Sequence, residues 1–254
     1  MKIALIQSSL FWENPKANRN YFEEKINVIT EKVDLVILPE MFSTGFTMNP
    51  GAVAETMQGE TVLWMQSLAK AQKTAITGSL VIEELGNFYN RMLFVFPSGE
   101  IQFYDKRHLF TLAGEEKVYT AGNQKLIVDY LDWKICPMVC YDLRFPVFSR
   151  NTENYDLLLY VASWPDKRIN AWDALLKARA IENMSYVAAV NRIGVDGNEH
   201  LYSGHSQVID CLGEYLLGPN EYENVFLVAL DREKMLVTRN KMGFLNDKDS
   251  FELL

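Results

Sequence analysis

Cys140 occupies the position in this sequence where a cysteine is best suited to act as a nucleophile. The apolar residues 133–139 predict a strand that ends at Cys140, and Pro146 is suited to the first turn of a short helix just beyond it. In such a sharp turn, the dipole of the helix and a nearby cation would favour the thiolate. Cys136 and Cys211 lack the polar neighbours and the turn, and we expect them to be small buried side chains.

Two further residues that can transfer a proton or stabilise charge also follow predicted strands. Glu40 comes directly after the buried apolar run 35–39, a position that suits a general base. Lys106 follows the predicted strand 101–104, and a fixed ammonium there could stabilise an oxyanion. Taken alone, each residue also fits a plainer role, Glu40 as a loop-capping carboxylate and Lys106 as a solvated strand end.

Other catalytic patterns fit the sequence less well. His205 is a possible base for a cysteine–histidine pair, although a histidine at a strand end is more often structural. The spacing of the cysteines and histidines matches neither C-x-x-C nor H-E-x-x-H, and residues 204–208 complete no serine-hydrolase elbow. The sequence contains no glycine-rich nucleotide-binding motif. We therefore expect neither a metal nor a cofactor.

Composition and charge narrow the classes of function. The chain has 254 residues, 48% of them hydrophobic and 23% charged, as in ordinary globular domains. Its 33 acidic and 25 basic residues give a net charge of −8, so we expect no binding to nucleic acid or to an anionic membrane surface. No segment approaches the roughly 20 apolar residues of a membrane span or resembles a secretory signal. We expect a cytoplasmic protein with free thiols.

Apolar periodicity predicts the elements that must position these side chains. Strands at residues 2–7 and 34–38 flank a helix that contains Phe22 and Ile26, which makes a βαβ unit. Further helices are predicted at 60–71 and 170–184, and further strands at 74–82, 91–96, 101–104, 125–128, 133–139, 157–161, 186–190, 206–209 and 225–230. The late helix carries one stripe of mostly small residues that could let another helix approach, namely Ala171, Ala174, Leu175, Ala178 and Ile181. The pattern is typical of a layered α/β protein, and we expect one domain over residues 1–254 with a C-terminal arm from about residue 239.

Three segments of this sequence resemble, in order, the Glu, Lys and Cys motifs of the nitrilase, or carbon-nitrogen hydrolase, superfamily. They are residues 39–40, 104–110 and 140–146. The likeness continues through residues 162–165, 178–183, 191–194 and 204–206, and so covers nearly the whole chain. The resemblance implies a four-layer αββα sandwich that assembles as a homodimer or a larger homo-oligomer.

The resemblance also implies a role for each matching residue. Glu40 becomes the general base, Lys106 the oxyanion stabiliser and Cys140 the nucleophile. Members often carry a second glutamate, which Glu115 matches best, although the adjacent Glu116 leaves that assignment open. The implied reaction hydrolyses an amide through a cysteine thioester, with the backbone N–H of Tyr141 as a second oxyanion donor and without a cofactor.

Residues 41–46 and 114–116 are most similar to the ω-amidase branch, whose members cleave the terminal amide of 2-oxoglutaramate and 2-oxosuccinamate. Arg144 is a candidate clamp for the carboxylate of such a substrate, and the alternative is a structural ion pair with Asp142 or another carboxylate. Aromatic side chains that follow the motifs are candidate pocket walls, namely Phe42, Phe46, Phe110 and Trp164. Two alternatives stay open: a deaminated-glutathione amidase or other small aliphatic amidase, and a catalytically silent binding protein.

Overall fold

Fourteen strands and six α-helices make up the regular structure of residues 1–252, the part of the chain that the computed structural model describes. The strands are β1 Lys2–Gln7, β2 Leu35–Ile37, β3 Ala75–Glu84, β4 Asn87–Val95, β5 Ile101–Asp105, β6 Val128–Tyr130, β7 Trp133–Val139, β8 Leu157–Ala162, β9 Tyr186–Asn191, β10 Ile193–Val195, β11 Leu201–Ser203, β12 Gln207–Ile209, β13 Tyr215–Leu217 and β14 Asn224–Ala229. The helices are α1 Pro15–Asn27, α2 Pro50–Val53, α3 Glu60–Gln72, α4 Pro146–Ser149, α5 Ile169–Asn183 and α6 Arg232–Met242.

The strands form two six-stranded sheets and one hairpin. The first sheet has the order β14-β1-β2-β3-β4-β5, the second has the order β13-β12-β9-β8-β7-β6, and the hairpin pairs β10 with β11. Each sheet has three neighbouring parallel strands, β1-β2-β3 and β7-β8-β9, with antiparallel strands on both sides. Because both faces of these parallel strands are covered, they are continuous apolar runs in the sequence.

Alternate side chains of the first sheet enter two different hydrophobic cores. Ile3 and Leu5 of β1 pack with residues of the second sheet, whereas Ala4 and Ile6 pack with side chains of α1 and α3. On the outer face of the second sheet, Trp172 and other side chains of α5 contact β9 and β12. The layers are therefore helix, sheet, sheet and helix, which confirms the predicted αββα class.

The predicted stripe of small residues on α5 lies mostly outside the buried face of this helix, and the approach of another helix to it stays a prediction. Ala174, Ala178 and Ile181 are exposed, and Trp172 and Arg179 are among the residues that face inward. Arg179 can be buried because its guanidinium donates a hydrogen bond to the Leu143 carbonyl at 2.6 Å and pairs with Glu182. Apolar periodicity in the sequence does not indicate that an arginine such as Arg179 is buried.

The C-terminal part of the described chain is more ordered than the sequence pattern indicates. Residue 239, the predicted start of an arm, lies inside α6, where the Arg239 guanidinium contacts the buried Asp156 carboxylate at 3.0 Å. Residues 253–254, the end of the predicted arm, lie outside the described residues, and the single-domain assignment stays a prediction. Within residues 1–252 no helix is both long enough and apolar enough to span a membrane.

Candidate active site

Glu40, Lys106 and Cys140 lie at the same edge of the two facing sheets. Cys140 directly follows β7 and Lys106 directly follows β5, while Glu40 comes three residues after the end of β2. β5 is antiparallel to β4, which is antiparallel to β3, so β5 runs in the same direction as β2 and β3. The carboxyl ends of these strands therefore meet at one edge, where open α/β sheets usually bind ligands.

A buried ammonium between two buried carboxylates forms the centre of this edge. The Lys106 Nζ lies 3.0 Å from Glu40 Oε1, and 3.0 and 2.9 Å from the two carboxylate oxygens of Glu115. The Lys106 and Glu115 side chains are fully buried, and that of Glu40 is 1% exposed. Glu116 is exposed, so geometry singles out Glu115 as the second glutamate beside the lysine.

Backbone and amide donors hold the two carboxylates in place. The Asn90 Nδ2 donates to Glu40 Oε1 at 2.8 Å, and the backbone N–H of Ser163 donates to Glu40 Oε2 at 2.7 Å. The backbone N–H of Phe110 donates to Glu115 Oε2 at 2.5 Å. Asn90 and Ser163 were not predicted as site residues, because neither belongs to one of the three motifs and only the register of β4 and the end of β8 bring them here.

The lysine and the second glutamate shift each other's pKa. Burial alone would lower the pKa of the Lys106 ammonium, but attraction by Glu115 and Glu40 outweighs burial, so that pKa is raised above its usual range. Burial raises the pKa of Glu115, the Lys106 charge opposes this rise, and the Glu40 charge adds to it. The lysine therefore stays charged, and a second negative charge beside Glu115 is unfavourable.

Cys140 is a strained, buried thiol that opens onto a cavity. Its φ of 45° lies in the left-handed region, which a residue with a Cβ rarely adopts. Burial raises the pKa of the Cys140 thiol well above its usual value, and the neighbouring Glu40 raises it further, while Lys106 only partly opposes this. This direction is opposite to the bias towards the thiolate that the sequence suggested. The physical reason is that burial and two carboxylates outweigh one cation, and that α4 begins only at Pro146, after a 3₁₀ turn over Cys140–Arg144.

Asp142 fixes the turn that carries the nucleophile. Its carboxylate accepts hydrogen bonds from the Val139 N–H at 2.9 Å and from the Tyr104 hydroxyl at 2.8 Å. It also accepts the His108 backbone N–H at 3.0 Å and lies 2.7 Å from the His108 Nδ1. One buried carboxylate thus ties the end of β7 to the loop that follows Lys106.

A cavity of about 700 Å³ opens beside Cys140 and Lys106. Three of the four predicted wall residues line it, namely Phe46, Phe110 and Trp164, and so do Tyr141 and Arg144. Phe42 does not, and its expected place in the pocket wall is wrong. The Phe42 ring is fully buried in the other core, with its centroid 5.4 Å from that of Phe22, because the chain reverses at Met41, whose φ is 44°.

Arg144 is free to face this cavity. The sequence left open an ion pair with Asp142, but the carboxylate oxygens of Asp142 are occupied by Val139, Tyr104 and His108. Within residues 1–252 the Arg144 guanidinium has no carboxylate within salt-bridge distance, and it lies over the Trp164 ring, 4.8 Å from the centroid. A free guanidinium beside a cavity can bind an anion.

Further walls of the cavity come from segments that sequence analysis did not single out. Trp12 lines one side, and a Cβ on Gly197 would come within 2.5 Å of its indole ring, so only glycine permits this close approach. The β10–β11 hairpin contributes Tyr202. His205, considered above as a possible base, instead contacts Asp173 at 2.9 Å and is not among the residues around the cavity.

The residues described here include no group of three or more side chains placed to hold a metal ion. The side chains at the centre of the site are a thiol, two carboxylates and an ammonium. Such a set can deprotonate a nucleophile and stabilise an oxyanion.

Known proteins are similar to this chain in sequence and in structure. The chain matches the sequence model of the carbon-nitrogen hydrolase family over residues 2–240. It is 43% identical to Omega-amidase YafV of Escherichia coli (strain K12), over 100% of this chain and 98% of that protein, and 29% identical to the 2-oxoglutaramate amidase of Bacillus subtilis (strain 168), over 96% of each. The solved structure of XC1258 from Xanthomonas campestris, a CN-hydrolase superfamily protein with an arsenic adduct in its active site, matches with a TM-score of 0.98 and 43% identity, over 100% of this chain and 99% of that one.

These relatives confirm the predicted resemblance to the nitrilase superfamily and to its ω-amidase branch. They also favour an amidohydrolase over the silent binding protein that the sequence left open. The chain belongs to the carbon-nitrogen hydrolase family.

Proposed function

We propose that this protein is an ω-amidase that hydrolyses the terminal amide of small 2-oxo dicarboxylic acid monoamides, such as 2-oxoglutaramate and 2-oxosuccinamate. The observation that carries the proposal is the Glu40–Lys106–Glu115 cluster beside Cys140, next to a cavity with the free guanidinium of Arg144. The relatives named Omega-amidase YafV and 2-oxoglutaramate amidase support this substrate class.

Glu40 begins the reaction by taking the proton of the Cys140 thiol as the sulfur attacks the amide carbon. Base assistance is required because burial keeps the pKa of this thiol high. The C=O electron pair moves to oxygen, and the resulting oxyanion is stabilised by Lys106 Nζ and the Tyr141 backbone N–H. Lys106 has three N–H donors. One donor to Glu40 and one shared by the two oxygens of Glu115 leave a third for the oxyanion.

Glu40 then returns the proton to the amide nitrogen, and the C–N bond breaks to release ammonia. The acyl group remains on Cys140 as a thioester. A water molecule that loses a proton to Glu40 attacks this thioester, the C–S bond breaks, and the thiol recovers its proton as the carboxylic acid leaves. Glu115 holds Lys106 in position throughout and transfers no proton.

Arg144 orients the substrate through its distal carboxylate. Its guanidinium can donate two parallel hydrogen bonds to a carboxylate, which fixes both the distance and the angle of the chain that carries the amide. The aromatic rings of Phe110, Tyr141 and Trp164 enclose the methylene groups between the two ends. We also propose that the enzyme works in the cytoplasm as a homodimer or larger homo-oligomer.

Ammonia release from a matched panel of five-carbon compounds tests this function. We expect kcat/KM for 2-oxoglutaramate to exceed that for pentanamide, and Arg144→Met to lower kcat as well as binding, because binding of the remote carboxylate helps to place the carbonyl. Pentanenitrile completes the panel. Deaminated glutathione, a larger amide whose hydrolysis releases cysteinylglycine rather than ammonia, is assayed alongside by the formation of 2-oxoglutarate. Equal kcat/KM for the charged and neutral amides would refute the carboxylate clamp, and faster turnover of deaminated glutathione or of the nitrile would assign the protein to another branch.

A further inference from the structure

Arg168 places a second guanidinium in the lining of the cavity that Arg144 also lines. Arg168 lines the cavity, and its Cζ lies 5.1 Å from the centroid of the Phe110 ring. The Arg144 Cζ has a similar position over the Trp164 ring. Both arginines therefore lie over aromatic rings that themselves line the cavity, an arrangement that favours a planar guanidinium.

Hydrogen bonds to the backbone fix the position of Arg168. The Trp164 Nε1 donates to the Arg168 carbonyl at 2.8 Å, and the Arg168 N–H donates to the Pro165 carbonyl at 3.0 Å. The Trp164 backbone N–H in turn donates to Asn191 Oδ1 at 2.7 Å. The same tryptophan thus supports the Arg144 guanidinium with its ring and the Arg168 backbone with its indole N–H.

Neither guanidinium is neutralised by a carboxylate of the described chain. Arg91 and Arg239, by contrast, each have such a partner, in Asp105 and Asp156. The acidic residues that line the cavity are otherwise engaged: Glu13 accepts a hydrogen bond from the Thr47 hydroxyl, and Asp196 accepts one from the Tyr202 hydroxyl at 2.8 Å. In a protein with a net charge of −8, two unpaired guanidiniums on one wall form a local site for an anionic group.

We propose that Arg168 is a second specificity-determining residue, which together with Arg144 makes the cavity select a 2-oxo acid end over a 2-amino acid end. This inference rests on the proposed function, since it concerns the same substrate site. A 2-oxo acid presents only hydrogen-bond acceptors, namely the two carboxylate oxygens and the adjacent keto oxygen, to two sets of guanidinium donors. A 2-amino acid places an ammonium there instead, which accepts no hydrogen bond and repels the guanidiniums.

The test compares kcat/KM for 2-oxoglutaramate and for glutamine, two amides of equal length that differ only at the second carbon. Arg168→Met should lower the ratio of these values by about ten- to hundredfold, the effect of losing a hydrogen bond to a charged group. Arg107→Met is the matched control, because it removes the same charge from a guanidinium that also lies over an aromatic ring, Phe148, at 5.1 Å, but outside the cavity lining. In Arg107→Met, the ratio of kcat/KM for 2-oxoglutaramate to that for glutamine should change by less than about twofold.

Inhibition by the product gives a second readout that does not depend on turnover of either amide. With pentanamide as the substrate, the inhibition constant of 2-oxoglutarate should rise in Arg168→Met and stay unchanged in Arg107→Met. If wild-type enzyme prefers 2-oxoglutaramate to pentanamide but Arg168→Met keeps the wild-type ratio, the role of Arg168 is refuted while the proposed function stands. Equal changes in Arg168→Met and Arg107→Met would also refute the role of Arg168. A wild-type enzyme without any preference for 2-oxoglutaramate over pentanamide would refute both that role and the proposed function.

Discussion

Replacing Lys106 by methionine should destabilise the protein in a way that depends on pH. The substitution leaves the Glu40 and Glu115 carboxylates without their shared cation while both remain buried. Donors from Asn90, Ser163 and Phe110 persist, so the carboxylates keep hydrogen bonds but lose their charge partner. Removing one partner from a buried ion pair typically costs about 3–5 kcal/mol, and we expect a loss in this range at pH 8.

The direction of the pH dependence follows from the two carboxylates. Without the ammonium they repel each other, so one of them holds a proton and its folded pKa rises above the unfolded value of a glutamate. A group with a raised folded pKa contributes stability below its unfolded pKa, and this contribution is lost as pH rises through the folded pKa. The defect of Lys106→Met should therefore shrink on acidification, by up to about 1.4 kcal/mol per pH unit between the two pKa values.

The wild type provides the contrast. Its Lys106 pKa is raised, so the stabilising contribution of this lysine is complete below the unfolded lysine pKa and shows no step between pH 5.5 and 8. Urea unfolding followed by the fluorescence of the five tryptophans measures both proteins at both pH values.

Adding Glu115→Gln to Lys106→Met should recover roughly 2 kcal/mol of the free energy of unfolding at pH 8, because it removes the second charge. Lys125→Met, which breaks the more exposed pair with Glu153, should cost less than about 1 kcal/mol at either pH. An equal defect at pH 5.5 and 8, or no recovery in the double variant, would show that the carboxylates do not carry the effect.

Three further variants test the remaining groups of the site. Cys140→Ala should abolish ammonia release while Cys136→Ala retains much of it, since only Cys140 lines the cavity; turnover by Cys140→Ala would disprove the thioester route. Glu40→Gln should lower kcat by roughly 10²–10⁴-fold in single-turnover assays, as expected for loss of a general base, and a change confined to KM would contradict that role. Asp142→Asn should lower the free energy of unfolding by about 1–3 kcal/mol, because its single NH2 group would place donors against the N–H of either Val139 or His108. Unfolding that matches the wild type in urea would show that Asp142 does not fix the turn.

The sequence made Glu40, Lys106 and Cys140 candidates because each one follows a predicted strand, and the resemblance to the nitrilase superfamily then implied their roles. Glu40, Lys106 and Cys140 come after short apolar runs, and strands that run in one direction bring their carboxyl ends together regardless of their separation in the chain. The choice between Glu115 and Glu116 needed the structure, since adjacent residues of a 3₁₀ turn point in different directions and only Glu115 is buried.

Residues that reach the site through tertiary packing could not be predicted in this way. Asn90 lies in the middle of β4, and its approach to Glu40 depends on how that strand is aligned with its neighbours. Trp12 meets Gly197, 185 residues later in the chain, and no local pattern indicates that contact. Phe42 was misplaced for a related reason, because the left-handed turn at Met41 reverses the side of the sheet that it faces.

The buried cluster allows an uncharged amide to be attacked without burying an additional charge. In the proposed mechanism the resting site holds one ammonium, two carboxylates and a neutral thiol, since burial raises the pKa of Cys140. When Glu40 takes the thiol proton and the substrate oxygen becomes negative, the negative charge moves from one neighbour of Lys106 to another. The net charge of the buried group is therefore unchanged at the tetrahedral stage, and no additional ion has to be desolvated. The same ammonium that balances Glu40 before the attack balances the oxyanion after it, so the stability of the folded cluster and the rate of the reaction depend on one side chain.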